Sequence, residues 1–440
     1  MNDHSPWQAD HDCESGCNET AHSLAWQYRT IRRRFEQYCA PLAIEDYGLQ
    51  AMPDTSPPKW HLAHTSWFFE TFILKEYVAS YQPFHPQFEY LFNSYYNGIG
   101  AQFPRPRRGL LSRPTVAEIY RYRQVVDEAM LALLERGPDL SADICARTAL
   151  GLQHEMQHQE LFFTDIKYSL AQNPLFPAYL PLADRWLSDV PAPVMQWRRF
   201  DGGLTDIGAA ADGAFCFDNE TPRHPVFIAP FEMADRLITN AEVLAFVLAG
   251  GYRDPALWLS DGWQTVREQQ WQHPLYWHPP QGEVMAAEGW QEFTLYGLQP
   301  LDPHRPACHL SAYEADAIAR WLGGRLPTEF EWELAAPQWP DCLTRHDTGH
   351  YHPNIADLAS LFGAVWQWTS SAYSPYPGYQ PAAGAIGEYN GKFMCNQWVL
   401  RGGSCVTDPR QTRTSYRNFF YPADRWQFSG LRLARTLQPR

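Results

Sequence analysis

The sequence predicts an α+β protein in two parts, a four-helix bundle followed by a loop-rich domain of short strands and a few helices. Three observations carry this. Apolar residues recur at spacings of three and four in four long segments before residue 172, which is the period of a half-buried helix. Prolines at 174, 177, 181, 191 and 193 then break any regular element. Beyond them, short β-prone pieces alternate with Gly, Pro and Trp loops, and a chain of 440 residues is long enough for separate cores on either side of the break. The expected divisions are a disordered leader at 1–20, a helical domain at 21–172, a linker at 173–194 and a second domain at 195–440.

The first helix is expected from Ala21 to Cys39, where Leu24, Tyr28, Ile31, Phe35 and Tyr38 form one stripe and Arg32 to Arg34 take the outer face. The second follows Ser56-Pro57-Pro58, with Ser56 as N-cap and prolines at its start, and runs through Trp60, Phe68 and Ile73 to Tyr77. Between Tyr81 and Pro114 no period persists; a loop this long inside a compact domain is usually functional. The third helix starts at the capping box Thr115-x-x-Glu118 and ends by Gly137-Pro138. The fourth begins near Ser141 and reaches Leu170. In the second domain, strands are expected at Pro225–Ile228 and Gln397–Leu400, and helices at Asn240–Leu248 and Ser311–Leu322.

Composition narrows the function. A formal charge of -14 opposes nucleic acid or anionic lipid as a partner and leaves a small molecule as the default. The nine cysteines are scattered, apart from Cys13 and Cys17 near His4 and His11, so a reduced, cytoplasmic protein is expected. No apolar run approaches the roughly 18 residues of a membrane span, and the acidic N-terminus is no signal peptide.

Chemistry concentrates at His154-Glu155-Met156-Gln157-His158-Gln159-Glu160. Two imidazoles four residues apart share a helix face, about 5 to 6 Å apart at Cβ. The string satisfies the zinc-peptidase pattern with Glu155 as base. Its surroundings do not: Leu161 and Thr164 stand where a metzincin has Gly and His, and 175–183 offers no downstream Glu. A third ligand from the second helix fits better, with His64 and His61 as rivals. Three neutral imidazoles suit Fe, Zn, Cu or Ni and leave coordination positions open. A lone histidine is most often a satisfied core residue; the helical pair and its neighbour argue for a metal.

Ser56-Pro57-Pro58-Lys59-Trp60-His61-Leu62-Ala63-His64-Thr65-Ser66-Trp67-Phe68, with His154-x-x-x-His158-x-Glu160, resembles the DinB-like helical domain of the ergothioneine-type sulfoxide synthases. Glu314-Ala315-x-Ala317-x-Ala319-Arg320-Trp321, Gly324-Arg325-Leu326-Pro327-Thr328-Glu329-x-Glu331-Trp332-Glu333, Val365-Trp366-Gln367-Trp368-Thr369, Leu400-Arg401-Gly402-Gly403-Ser404 and Gly430-Leu431-Arg432-Leu433-Ala434 resemble the formylglycine-generating (sulfatase-modifying) domain, a C-type-lectin-like fold. The likeness spans nearly the whole chain after residue 20. It implies a non-haem Fe(II) site of His64, His154 and His158, demoting His61. It also implies joining of a cysteine-type thiol to the imidazole C2 of hercynine, with sulfur oxidation by dioxygen. Two departures stand out: no cysteine follows Cys405, where the formylglycine enzymes place a copper-binding pair, and Ala364 and Gln367 replace the Asn and Glu of the string on which their calcium site depends.

The same resemblance implies the remaining site. Tyr95 and Tyr96, in Asn93-Ser94-Tyr95-Tyr96-Asn97-Gly98, match the tyrosine-bearing loop of one subgroup and would donate a proton or hydrogen atom; Tyr376 and Tyr379 are the second-domain alternatives. Arg105 and Arg108 would hold the thiol substrate's carboxylate in a bidentate manner. Gln157 would bond hercynine's imidazole, and Asn418, Phe419 and Phe420 would close over its trimethylammonium end. The active site is therefore expected between the domains. Close alternatives are a selenoneine synthase using a selenosugar or an ovothiol-type enzyme acting on histidine. More distant ones are a DinB-type zinc-dependent thiol transferase and a non-catalytic lectin-like module.

Overall fold

The computed structural model describes residues 24–182, 186–339 and 349–437. The expected leader at 1–20, with its Cys13, Cys17, His4 and His11, lies outside the described residues. Helix α1 spans Leu24–Cys39, α2 Pro58–Phe69, α3 Val116–Leu134 and α4 Ala142–Ala171. A π turn over Glu70–Leu74 carries α2 on to Tyr77. Thr115 caps α3 through its capping box and Ser141 caps α4, as their residue types predict.

The start of α2 corrects an expectation. Its N-cap is Pro57 rather than Ser56. Ser56 instead donates its backbone N–H to Asp165 Oδ2 at 2.8 Å and accepts from Arg108 Nη1 at 2.9 Å, so it ties the helix start to α4 and to the following loop.

Helix α2 is the axis of the bundle, for all 12 of its residues are buried. A helix buried on every side needs a partner for each polar group it carries. Close packing against α4 depends on Gly151: a Cβ there would come within 2.5 Å of the Phe69 ring and 3.0 Å of Phe68. A glycine one turn ahead of His154 therefore lets the two histidine-bearing helices meet. The loop from 81 to 114 is ordered by a short helix, Phe88–Phe92, and a 3₁₀ segment, Arg105–Leu110.

The second domain comprises β1 Trp197–Phe200, β2 Gly203–Ile207, β3 His224–Ile228, β4 Phe231–Ala234, β5 Trp277–His278, β6 Gln291–Thr294, β7 Gly297–Pro300, β8 Trp366–Ala372, β9 Trp398–Arg401, β10 Asn418–Phe420, β11 Ser429–Gly430 and β12 Ala434–Thr436. They form small sheets in the orders β1-β4-β12, β10-β9-β8-β11, β2-β3 and β5-β6-β7. Helices α5 Asn240–Leu248, α6 Ser260–Glu268, α7 Ala312–Trp321 and α8 Glu329–Ala335 pack among them. The scaffold motifs hold the fold: Arg401 reaches Glu333 at 2.7 Å and Glu329 at 3.1 Å, and Arg417 bonds the same Glu329. Gln367 accepts from Arg432 Nε at 3.1 Å and Trp332 Nε1 at 3.2 Å while donating to the Leu361 carbonyl, so its amide is spent on scaffold contacts.

The domains meet along α4. Glu160 accepts from Trp366 Nε1 at 2.5 Å, Ser404 Oγ at 3.1 Å and Thr407 Oγ1 at 2.8 Å. This carboxylate, two residues past His158, fastens the second domain to the histidine-bearing helix. Among the described residues no helix is long and apolar enough to cross a membrane.

Candidate metal centre and interdomain cavity

His64 on α2 and His154 and His158 on α4 converge, with one ligand-capable atom from each lying within 4.8 Å of the others. All three are buried. Their ring planes are fixed by packing: Trp60 and Trp67 stack on the two sides of His64 at 4.5 and 5.4 Å. Phe68 covers His154 at 4.8 Å.

Hydrogen bonds decide which nitrogen His64 and His158 offer. A carbonyl can only accept, so the 2.6 Å contact from His64 Nδ1 to the Phe92 carbonyl places the proton on Nδ1 and leaves Nε2 as a lone pair. That lone pair faces His154 Nε2 at 3.1 Å. His61 continues the same logic. Its Nε2 lies 3.0 Å from Asp165 Oδ2 and its Nδ1 lies 2.9 Å from His158 Nδ1. The carboxylate accepts a hydrogen bond from His61 Nε2–H, so His61 Nδ1 accepts from His158 Nδ1–H and His158 Nε2 is free to bind. His61 is thereby a support for a ligand rather than a rival to His64.

Burial, and then the neighbouring imidazoles, lowers the pKa of His64 and His158 well below the usual range. Burial lowers His154 to about 3. Rings kept neutral are what a divalent cation needs. The spacing fits as well. His64 Nε2 and His154 Nε2 lie 3.1 Å apart, a span that two nitrogens each about 2.0 to 2.1 Å from one ion would bridge. The residues present therefore fit a mononuclear metal held on three imidazoles.

Glu155 takes no part in this group. Burial opposes its ionisation, yet Arg123 and Arg32 hold its carboxyl below the usual range, at 2.5 and 2.6 Å. It faces into the bundle and ties α1 and α3 to α4. The peptidase role for this glutamate is excluded by where it points.

Beside the histidines lies a cavity of about 520 Å³ walled by both domains. His154, His158, Gln157, Tyr95, Arg105, Arg108, Asn418, Phe419 and Phe420 all line it. Tyr96 does not: it is fully buried and packs its ring on Trp67 at 5.5 Å and Phe72 at 5.1 Å, inside the bundle. Tyr95 is held toward the cavity from the other domain, for Lys392 donates to its carbonyl and Glu388 accepts from the Asn97 and Gly98 backbone. Burial pushes the Tyr95 phenol up to about 12.

Neither second-domain alternative, Tyr376 or Tyr379, lines the cavity. Tyr376 is spent on Arg401 and Glu329, and Tyr379 donates to Asp218 at 2.8 Å. Tyr389 stands at the histidines instead, 5.7 Å from the His154 ring. It donates to Gln157 Oε1, and Gln157 Nε2 donates to Tyr416 at 2.7 Å, which sets the amide's orientation. Phe217 stacks on Tyr389 at 5.6 Å. Tyr389, Tyr416 and Phe217 escaped the sequence reading because they lie in irregular loops where neither period nor motif singles out one ring.

A four-helix bundle that gathers three neutral imidazoles, two of them lining a cavity roofed by a second, loop-rich domain, defines a two-domain protein with a candidate mononuclear metal site. Comparison with known proteins agrees and narrows it. Residues 27–162 match the DinB superfamily, and residues 192–344 and 342–437 match the sulfatase-modifying factor enzyme 1-like domain. A hercynine oxygenase of Mycolicibacterium smegmatis is 30% identical over 88% of this chain and 92% of its own. One from Mycolicibacterium thermoresistibile is 29% identical over 87% of this chain and 88% of its own. A formylglycine-generating enzyme of Streptomyces coelicolor is 30% identical over 47% of this chain and 77% of its own. The chain belongs to the ergothioneine-type sulfoxide synthase family, a family of oxygen-using enzymes.

Proposed function

We propose that the protein is an Fe(II)-dependent sulfoxide synthase that joins the sulfur of a cysteine-type thiol to the imidazole C2 of hercynine. In the balanced reaction, hercynine, a thiol and dioxygen yield the sulfoxide and water. The C2–H and S–H hydrogens leave with one oxygen atom, and the other oxygen ends on sulfur. The observation that carries the reading is the convergence of His64, His154 and His158, the last two of them lining an interdomain cavity large enough for two small substrates. When bound there, iron supplies the open positions and the redox capacity that dioxygen chemistry requires.

The residues of this chain supply the rest. Gln157, oriented by Tyr389 and Tyr416, presents an amide to hercynine's imidazole. Phe419 and Phe420, with Phe393 stacked 6.0 Å from Phe419, offer aromatic faces to the quaternary ammonium, and Asn418 stands beside them. Arg105 and Arg108 bind the carboxylate of the thiol substrate. Tyr95, which lines the cavity and keeps its proton at neutral pH, would give a proton to the reacting oxygen. Tyr96 supports it from behind, with the two rings stacked at 4.7 Å.

The test is turnover of anaerobically Fe(II)-loaded protein with hercynine, a panel of sulfur and selenium donors and oxygen, read by product mass. A hercynyl sulfoxide supports the reading. Activity with zinc and without oxygen would return the thiol-transferase reading, and preference for a selenosugar or for histidine would move the protein to a neighbouring member of the fold.

A further inference from the structure

The turn that carries Tyr95 is held from both domains. Asn93 serves the bundle side: its Oδ1 accepts from Tyr96 N–H at 3.0 Å, and its Nδ2 donates to the Tyr96 and Gly100 carbonyls at 3.0 and 3.2 Å. Tyr96 is thereby pinned through its backbone as well as its buried ring. The groups around Tyr95 are served by the second domain instead. Glu388 Oε2 accepts from Asn97 N–H at 3.0 Å and its Oε1 from Gly98 N–H at 2.6 Å. Lys392, four residues on, donates to Glu388 at 2.8 Å and to the Tyr95 carbonyl.

We propose that Glu388 is a positioning residue for Tyr95, gripping two consecutive backbone N–H groups of its turn so that the phenol is set at the cavity wall only when the two domains are docked. The inference rests on the role given to Tyr95 above and adds the residue that holds it in place.

Successive N–H groups aimed at one anion make a small concave site, and a carboxylate that spans both fixes the orientation of the turn as well as its distance. Gly98 permits the grip. A Cβ there would stand 3.0 Å from Glu388 Oε1 and 3.3 Å from the Ala385 Cβ. Its backbone lies outside the left-handed region, so close approach is what a side chain would disturb. The ring is met from the same segment, by Phe393 edge-on at 5.1 Å and by Lys392 Nζ 5.0 Å from its centroid. Glu388 and Lys392 sit in the short 3₁₀ segments Ala385–Glu388 and Gly391–Phe393, and Asn390 between them fastens this loop to its own domain by donating to Asp218 at 2.7 Å.

Adhesion between the domains is already supplied by the buried contacts of Glu160 with Trp366, Ser404 and Thr407. Glu388 is only half-buried, and the bundle groups it bonds are those of the Tyr95 turn. Its place is therefore that of a local clamp.

The test is a double-mutant cycle on the Fe(II)-loaded protein with Glu388→Ala, Tyr95→Phe and the pair. Glu388→Ala is expected to lower kcat about tenfold or more while hercynine affinity stays within about twofold, and the pair to turn over no more slowly than Tyr95→Phe alone. A second readout needs no turnover: 3-fluorotyrosine at position 95, titrated by fluorine NMR in the zinc-loaded, diamagnetic protein. Its phenol is expected to titrate about one pH unit lower in Glu388→Ala and in Gly98→Ala than in the wild type, as the freed ring meets more water. Gly98→Ala keeps the Glu388 charge, so a shift there reports the position of the ring. Losses that multiply in the cycle, or a phenol that titrates alike in the wild type and both variants, overturn the proposal. A shifted titration in a protein that forms no C–S product would sustain the clamp and remove the synthase reading.

Discussion

His61 Nδ1 lies 2.9 Å from His158 Nδ1, with Asp165 on the far side of the His61 ring at 3.0 Å. The relay sets the tautomer of His158, a proposed metal ligand, from two residues away. Removing it by His61→Phe leaves His158 in place but frees its ring and its tautomer. Metal affinity is expected to fall by about 10- to 100-fold, the usual cost of losing a ligand's outer partner. Equilibrium metal competition checks this, and unchanged affinity would contradict the assignment.

Glu155→Gln separates structure from catalysis. The substitution strips a charge from a carboxylate that holds Arg32 and Arg123 together in the bundle. Stability is expected to fall by about 3 to 5 kcal/mol, as for a broken buried pair. Denaturant unfolding measures it. A general base would show the opposite pattern, full stability with abolished turnover.

Gly151→Ala should act at a distance. The added methyl would meet Phe69 in the interface that brings His64 to His154. Loss of metal affinity together with stability is expected, by roughly 1 to 3 kcal/mol in the unfolding free energy.

These side chains also mark what could be read from the sequence and what could not. Helical period, with the capping box at Thr115 and the cap at Ser141, located α1, α3 and α4 closely because those signals are local, but Arg32, expected on the outer face of α1, is buried against Glu155. His154 and His158 were legible since helical geometry alone puts them on one face, and the family likeness picked His64 over His61. The supporting role of His61 was not legible, for it depends on the bearing of α2 against α4. Ser56 looked like a helix cap, yet Asp165 and Arg108 claim it. The distinction between Tyr95 and Tyr96, and the place of Tyr389, depend on how irregular loops of two domains dock.

Asp424 makes stability depend on pH in a definite direction. Its folded pKa of about 7 exceeds the ordinary 3.8, so the folded state holds the extra proton between those values and stability falls as pH rises through that window. Below about pH 4 the group makes no difference. Asp424→Asn is therefore expected to gain about 4 kcal/mol over the wild type at pH 8 and nothing at pH 4. Thermal unfolding across pH, without substrates, tests the sign.

As proposed above, His64, His154 and His158 beside the interdomain cavity would make this chain an iron-dependent sulfoxide synthase. The most direct measurement is single-enzyme turnover with Fe(II), hercynine, cysteine and labelled dioxygen, followed by mass spectrometry of the product. The account predicts a hercynyl cysteine sulfoxide carrying one labelled oxygen, abolished in His158→Ala. Absence of any C–S product with fully loaded metal, or an undiminished yield in that variant, would contradict it.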